Sequence, residues 1–125
     1  MGHHDLSHHG QDPTKIEQLK KVEMEEMKTV YDLLAKLKNT EEQGASLLDR
    51  TMVLFSSNLG NAANHSTKNL PVLFAGGGFK HGQHLAFNPD DPTPVSNLYV
   101  SMLQRLGIEA EKFATSTGTL SGLEG

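Results

Sequence analysis

Apolar positions recur at steps of three to five along the first third of the chain: Ile16, Leu19, Val22, Met27, Val30, Tyr31, Leu34 and Leu37. That spacing predicts one apolar stripe on a helix of about 25 residues. Asp12-Pro13 reads as its start, because Asp caps and Pro suits the first helical position, where an N–H has no partner anyway. Lys15, Glu17, Lys20, Lys21, Glu23, Glu25, Glu26, Lys28 and Lys36 populate the other face, as a solvated surface does. Asn39 and Gly44 end the helix or break it into a second short turn.

The pattern then changes. Met52-Val53-Leu54-Phe55 and Leu70-Pro71-Val72-Leu73-Phe74-Ala75 are short continuous apolar runs. Such runs suggest strands buried on both faces, as in parallel sheets. Between them lies a polar loop, Ser56 to Asn69, and after them Gly76-Gly77-Gly78. Phe79 to Phe87 alternates loosely, as a small hairpin or an ordered loop would. Thr93-Pro94 repeats the cap-and-proline start. Val95, Leu98, Tyr99, Met102, Leu103 and Leu106 then predict a second amphipathic helix closed by Gly107. Residues 1–12 show no helical or strand period, and the segment 109–125 is polar and Ser/Thr/Gly-rich, a wrapping or partly disordered tail. The alternation predicts an α/β domain over residues 1–125, with a small, mostly parallel sheet and two main helices. A two-strand sheet is marginal alone. The chain is therefore expected to belong to a larger fold or to complete its sheet with another copy.

Composition narrows the classes. The chain has 125 residues, 36% of them hydrophobic and 21% charged, with no Cys and no Trp. One domain is the natural size. Mean hydropathy is −0.43, and no apolar run approaches the roughly 18 residues that a membrane span needs. Disulfide frameworks are excluded without Cys. A formal net charge of −4 lacks the basic surplus of a nucleic-acid binder. The polar, His-rich start carries no signal-peptide pattern. Neither nucleic acid nor membrane is an expected partner.

Seven His are unevenly placed: His3, His4, His8 and His9 near the start, His65 alone, and His81 with His84. The run His3-His4-Asp5-Leu6-Ser7-His8-His9 holds five side chains able to ligate a metal. Imidazole suits Zn, and the carboxylate extends the choice toward Mn. The alternative is a floppy polar terminus. His65 follows a predicted strand end, where open α/β sheets bind ligands, although loops carry polar residues in any case. His81, His84 and Lys80 would suit an anion or simply decorate a hairpin tip. Gly76-Gly77-Gly78 lacks the Lys-Ser/Thr ending of a phosphate-binding loop. No Gly-x-Ser-x-Gly elbow and no Cys nucleophile is present, and Ser56 and Ser57 have no evident base beside them. No catalytic residue is assigned.

Two long stretches carry a resemblance. One is Gly2-His3-His4-Asp5-Leu6-Ser7-His8-His9-Gly10. The other runs from Leu47-Leu48-Asp49-Arg50-Thr51 through Met52-Val53-Leu54-Phe55-Ser56-Ser57-Asn58-Leu59-Gly60 and His65 to Asn69-Leu70-Pro71-Val72-Leu73-Phe74-Ala75-Gly76-Gly77. With Pro94-Val95-Ser96-Asn97-Leu98-Tyr99 and Leu106-Gly107-Ile108, they resemble the C-terminal part of a bacterial family, the domain of unknown function fifteen-fifty-two, related to the alkaline phosphatase and sulfatase superfamily. The resemblance covers nearly the whole chain. It implies a piece of the alkaline-phosphatase-like α/β/α architecture and a parent protein exported from the cytoplasm. It also implies metal ligands, with His4, Asp5, His8 and His9 forming one group and His65 another.

The chain departs from the superfamily pattern in two ways. The superfamily's nucleophile and first metal-binding carboxylate come from an N-terminal half that this sequence does not contain. Asn64-His65 stands where an Asp-His pair is usual. The expectation is a fragment-like α/β unit that binds a divalent metal, Zn or Mn, and does not hydrolyse esters alone. Two alternatives stand beside it. One is a metal-dependent phosphate or sulfate ester hydrolase completed by a partner chain or by the missing N-terminal half. The other is a homodimerising interaction module.

Overall fold

The computed structural model describes residues 2–124; positions 1 and 125, the outer ends of the expected 1–12 and 109–125 segments, lie outside them. The unpatterned start contains a short helix, α1 (His3–Ser7). Asp5 Oδ2 accepts from the backbone N–H of Gly2, the residue before the first turn, at 3.2 Å. Leu6 is buried, so one apolar residue anchors the segment.

Helix α2 (Pro13–Asn39) starts where the Asp12-Pro13 pair predicts, with the Asp12 carboxylate accepting from the N–H groups of Thr14 and Lys15. Its stripe is only half covered. Ile16, Leu19, Val22, Val30, Leu34 and Leu37 are half-buried, whereas Met27 and Tyr31 are exposed and no residue of the helix is fully buried. After Thr40 the chain forms a two-residue hairpin, β1 (Glu41–Glu42) against β2 (Ala45–Ser46). Gln43 and Gly44 between them both have positive φ, as the tight hairpin turn that matches strand twist requires. Ser46 caps the single turn α3 (Leu47–Arg50) in a reciprocal box with Asp49.

The two apolar runs form β3 (Met52–Ser56) and β4 (Val72–Gly76). They pair antiparallel, with Met52 opposite Gly76 and Ser56 opposite Val72. This corrects the expected parallel sheet. Parallel neighbours need a crossover, usually a helix. The connection over residues 57–71 holds only the 3-10 turn Ala62–Asn64 and folds straight back. The strands are not buried on both faces either. Burial is graded along the ladder: Met52, Val53, Leu54, Phe74 and Ala75 are half-buried and Gly76 is buried, while Phe55, Val72 and Leu73 are exposed. A continuous apolar run here marks one covered end of a ladder rather than a sandwiched strand. Gly76 is placed by sterics as well as by φ of 78°: a Cβ there would run into the carbonyl oxygens of Thr51 and Leu48.

Phe79 to Phe87 forms no strand. It is an ordered connection whose Lys80 N–H donates to Leu123 O at 3.0 Å and whose Gln83 amide donates to Gly122 O. Helix α4 (Ser96–Arg105) ends in a left-handed Gly107, with Gly107 N–H on Gln104 O and Ile108 N–H on Leu103 O, the paired bonds of a Schellman ending. Arg105 returns over the Phe79 ring, 4.4 Å from its centroid. The C-terminal segment wraps on α4 through polar ties. Buried Asn97 accepts from Thr117 N–H at 2.9 Å and donates to Thr117 Oγ1, and Ser101 Oγ accepts from Leu120 N–H at 2.9 Å. The buried hydrophobic side chains are Leu6, Leu98, Val100 and Leu123 among the described residues. Among the described residues the fold is mixed α/β, with four α-helices and two small antiparallel sheets.

Candidate metal site

The loop between β3 and β4 is stiffened at its far end. Asn61 and Ser66 form an isolated antiparallel bridge, Gly60 N–H donates to Ser66 O at 2.8 Å, and Asn64 Oδ1 accepts from Ser66 N–H at 3.1 Å. Gly60 has no room for a side chain, because a Cβ would run into the Lys68 carbonyl oxygen. At the tip sits His65, with φ 56° and ψ 30°. A β-carbon-bearing residue pays about 1–2 kcal/mol to occupy that left-handed region. Strain of this kind persists where surrounding structure enforces it. Here the Asn61–Ser66 closure does so.

The other half of the site comes from α1. His8 follows its last turn, and its Nδ1 lies 3.2 Å from His4 O and 3.2 Å from Ser7 Oγ. A carbonyl only accepts, so the nitrogen facing His4 O carries a proton, and in the neutral form of the ring Nε2 of His8 is then bare. That bare nitrogen lies 2.7 Å from Nε2 of His65. The two rings meet edge to face, with centroids 4.9 Å apart, and the His4 ring lies 4.3 Å from that of His8. One N-terminal imidazole, that of His8, therefore meets the one in the central loop, with the His4 ring behind it.

The His8 ring makes a contact that ligating His also make. Ligating His characteristically gives its second ring N–H to a carbonyl, which fixes the tautomer and the ring orientation. An ion about 2.0–2.1 Å from each nitrogen would hold the pair about 2.9–3.4 Å apart, a few tenths of an ångström wider than the hydrogen-bonded contact. Opening by that amount needs only a small ring rotation, since His65 is exposed and His8 half-buried. His8 and His65 thus fit a divalent ion as a two-nitrogen bite.

The remaining candidates are engaged elsewhere. Asp5 Oδ2 is tied to Gly2 N–H, and His9 Nδ1 accepts from Gln11 N–H at 3.0 Å. His4 contributes its carbonyl and its ring face rather than a convergent nitrogen. Among the described residues no cluster of three or more His, Cys, Asp or Glu is placed to surround an ion. Nor does the strand-end rule of parallel sheets apply to His65, because its loop joins antiparallel strands. His81 is held structurally, with Nε2 2.8 Å from Gly76 O and its ring against Phe74. Sequence reasoning missed Ser7, whose hydroxyl sits beside His8 Nδ1; its place one residue before a ligand-type His was the available signal.

Among the described residues no helix is long and apolar enough to cross a membrane. Comparisons with protein-family models, with curated proteins and with solved structures find no match.

Proposed function

We propose that this chain is a divalent-metal-binding α/β unit of the alkaline phosphatase and sulfatase type, holding Zn or Mn through His8 and His65. The observation that carries the reading is the 2.7 Å approach of two Nε2 atoms, one of which the His8 Nδ1 contact with His4 O leaves bare in the neutral ring. The sequence resemblance supports the class, and the site offers two imidazoles side by side, one exposed and one half-buried. Two protein nitrogens leave coordination positions for water, for an ester oxygen, or for a carboxylate from a partner chain. The hydroxyl beside the pair is that of Ser7, on the Nδ1 side of His8 and tied to His4 O rather than facing the two Nε2 atoms, so metal binding is the activity proposed for the chain.

Isothermal titration of the full chain with Zn and with Mn checks this. Heat of binding is expected for at least one ion, lost in His8→Ala and in His65→Ala but kept in His9→Ala, whose ring faces Gln11. Equal heat in all four proteins would sink the assignment.

A further inference from the structure

We infer that zinc at the His8–His65 pair acts as a cross-link that fastens residues 2–12 to the β3–β4 loop, so that the order of the N-terminal segment is metal-dependent. The inference rests on the metal-binding reading and adds a structural role to it. It starts from what else holds that segment, which is the packing of α1 on α2 and a set of local ties. Helix α1 has five residues, far below the length at which a helix is stable by itself in water. Leu6 is its one buried hydrophobic residue. The polar ties of Gly2, Ser7 and His9 are local, running to Asp5, to His4 and to Gln11.

The exception is the His8–His65 contact, which spans 57 residues of sequence. A tie across so long a span restrains the chain far more than a local one, since it closes a large loop. Both of its ends are already oriented. His8 is fixed by His4 O and Ser7 Oγ at the end of α1, and His65 by the Asn61–Ser66 closure around it. Without metal, one hydrogen bond between two solvent-accessible rings joins them. With zinc, two coordinate bonds would replace it, His65 Nε2 giving up the proton it donates in that hydrogen bond while its Nδ1 carries the N–H of the neutral ring. Metal binding that requires the docked segment is necessarily coupled to the docking.

Hydrogen exchange on the full-length chain, with and without zinc, reads this directly. At free zinc one hundred times the dissociation constant, amide exchange in residues 2–12 is expected to slow by up to about 100-fold, as linkage requires of a ligand that binds only the docked state. Exchange in α4, which lies outside the cross-link, is expected to change less. His65→Ala is expected to abolish the slowing, and because its position is an exposed loop tip it leaves the rest of the fold in place. The stability of His8→Ala, measured alongside, provides the second variant. Zinc heat that depends on both His, with exchange at residues 2–12 unchanged, would overturn the cross-link and leave the metal reading standing. Absence of zinc heat in the wild-type chain would overturn the cross-link, and absence of manganese heat as well would overturn both.

Discussion

At the scale of single residues, backbone conformation carries as much information as side-chain chemistry. His65 was identifiable in the sequence as a candidate ligand, but its left-handed conformation was not, since no Gly or Asn-Gly pair marks the tip. Its strain is a property of the loop closure and can be measured apart from the imidazole. His65→Gly and His65→Ala both remove the ring, and only Ala keeps a Cβ at φ 56°. Glycine relieves a left-handed penalty of about 1–2 kcal/mol, offset by about 0.5–1 kcal/mol of extra freedom in the unfolded chain. The Gly variant is therefore expected to be more stable than the Ala variant by up to about 1.5 kcal/mol in metal-free urea unfolding. An Ala variant as stable as the Gly variant would mean that the loop relaxes and that no strain is held there. His4, Asp5 and His9 show the opposite side of legibility. Their residue types fit a metal, yet local hydrogen bonds of two and three residues' span hold Asp5 Oδ2 and His9 Nδ1, and the His4 ring lies against that of His8.

At the scale of elements, the long periodic signals were legible and the short ones were not. Asp12-Pro13 placed the start of α2, and Gly107 placed the end of α4, because capping chemistry is local. Helix α1 was invisible because five residues hold too few turns to show a period. The strand direction was misjudged because an apolar run reports burial, not pairing, and a ladder covered at one end produces the same run as a sandwiched strand. The C-terminal segment was ambiguous for a related reason. Its order depends on polar groups in other elements, above all the buried amide of Asn97, which satisfies Thr117 N–H and donates to Thr117 Oγ1 and Thr119 O. Asn97→Ala would strand those groups beside α4. The cost expected is about 1–3 kcal/mol, typical of a buried donor or acceptor left unpaired. Thermal unfolding would show the loss, and proteolysis would show earlier cleavage between residues 109 and 124. A variant with unchanged melting and unchanged cleavage would refute the view that this amide holds the segment down.

At the scale of the whole molecule, the surface is larger than the mass requires. The accessible area is 8966 Å² for 13.6 kDa. Compact monomers of that mass expose about 6,600 Å². The excess is well above the roughly 800 Å² per partner that a standard protein interface covers. Its apolar part is visible at Met24, Tyr31 and Leu33 on α2, at Phe55, Val72 and Leu73 on the strands, and at Leu106, Ile108 and Phe113 beyond α4. This is the physical content of the expectation that the chain completes itself with another copy or another chain. The heat capacity of unfolding tests it, because that quantity follows the surface newly exposed. Length scaling gives about 1.5–1.9 kcal/mol/K for an ordinary domain of this size. Taking the unfolded surface as proportional to mass, the isolated chain buries about a fifth less than an ordinary domain, so about 1.2–1.5 kcal/mol/K is expected. Calorimetry at low micromolar concentration should return that lower value. At high concentration the value per chain should rise, with the melting temperature rising alongside, as copies cover one another's exposed faces. A full-sized heat capacity at the lowest concentration, in a sample that light scattering shows to be monomeric, would mean that the chain closes its own surface in solution and needs no second body.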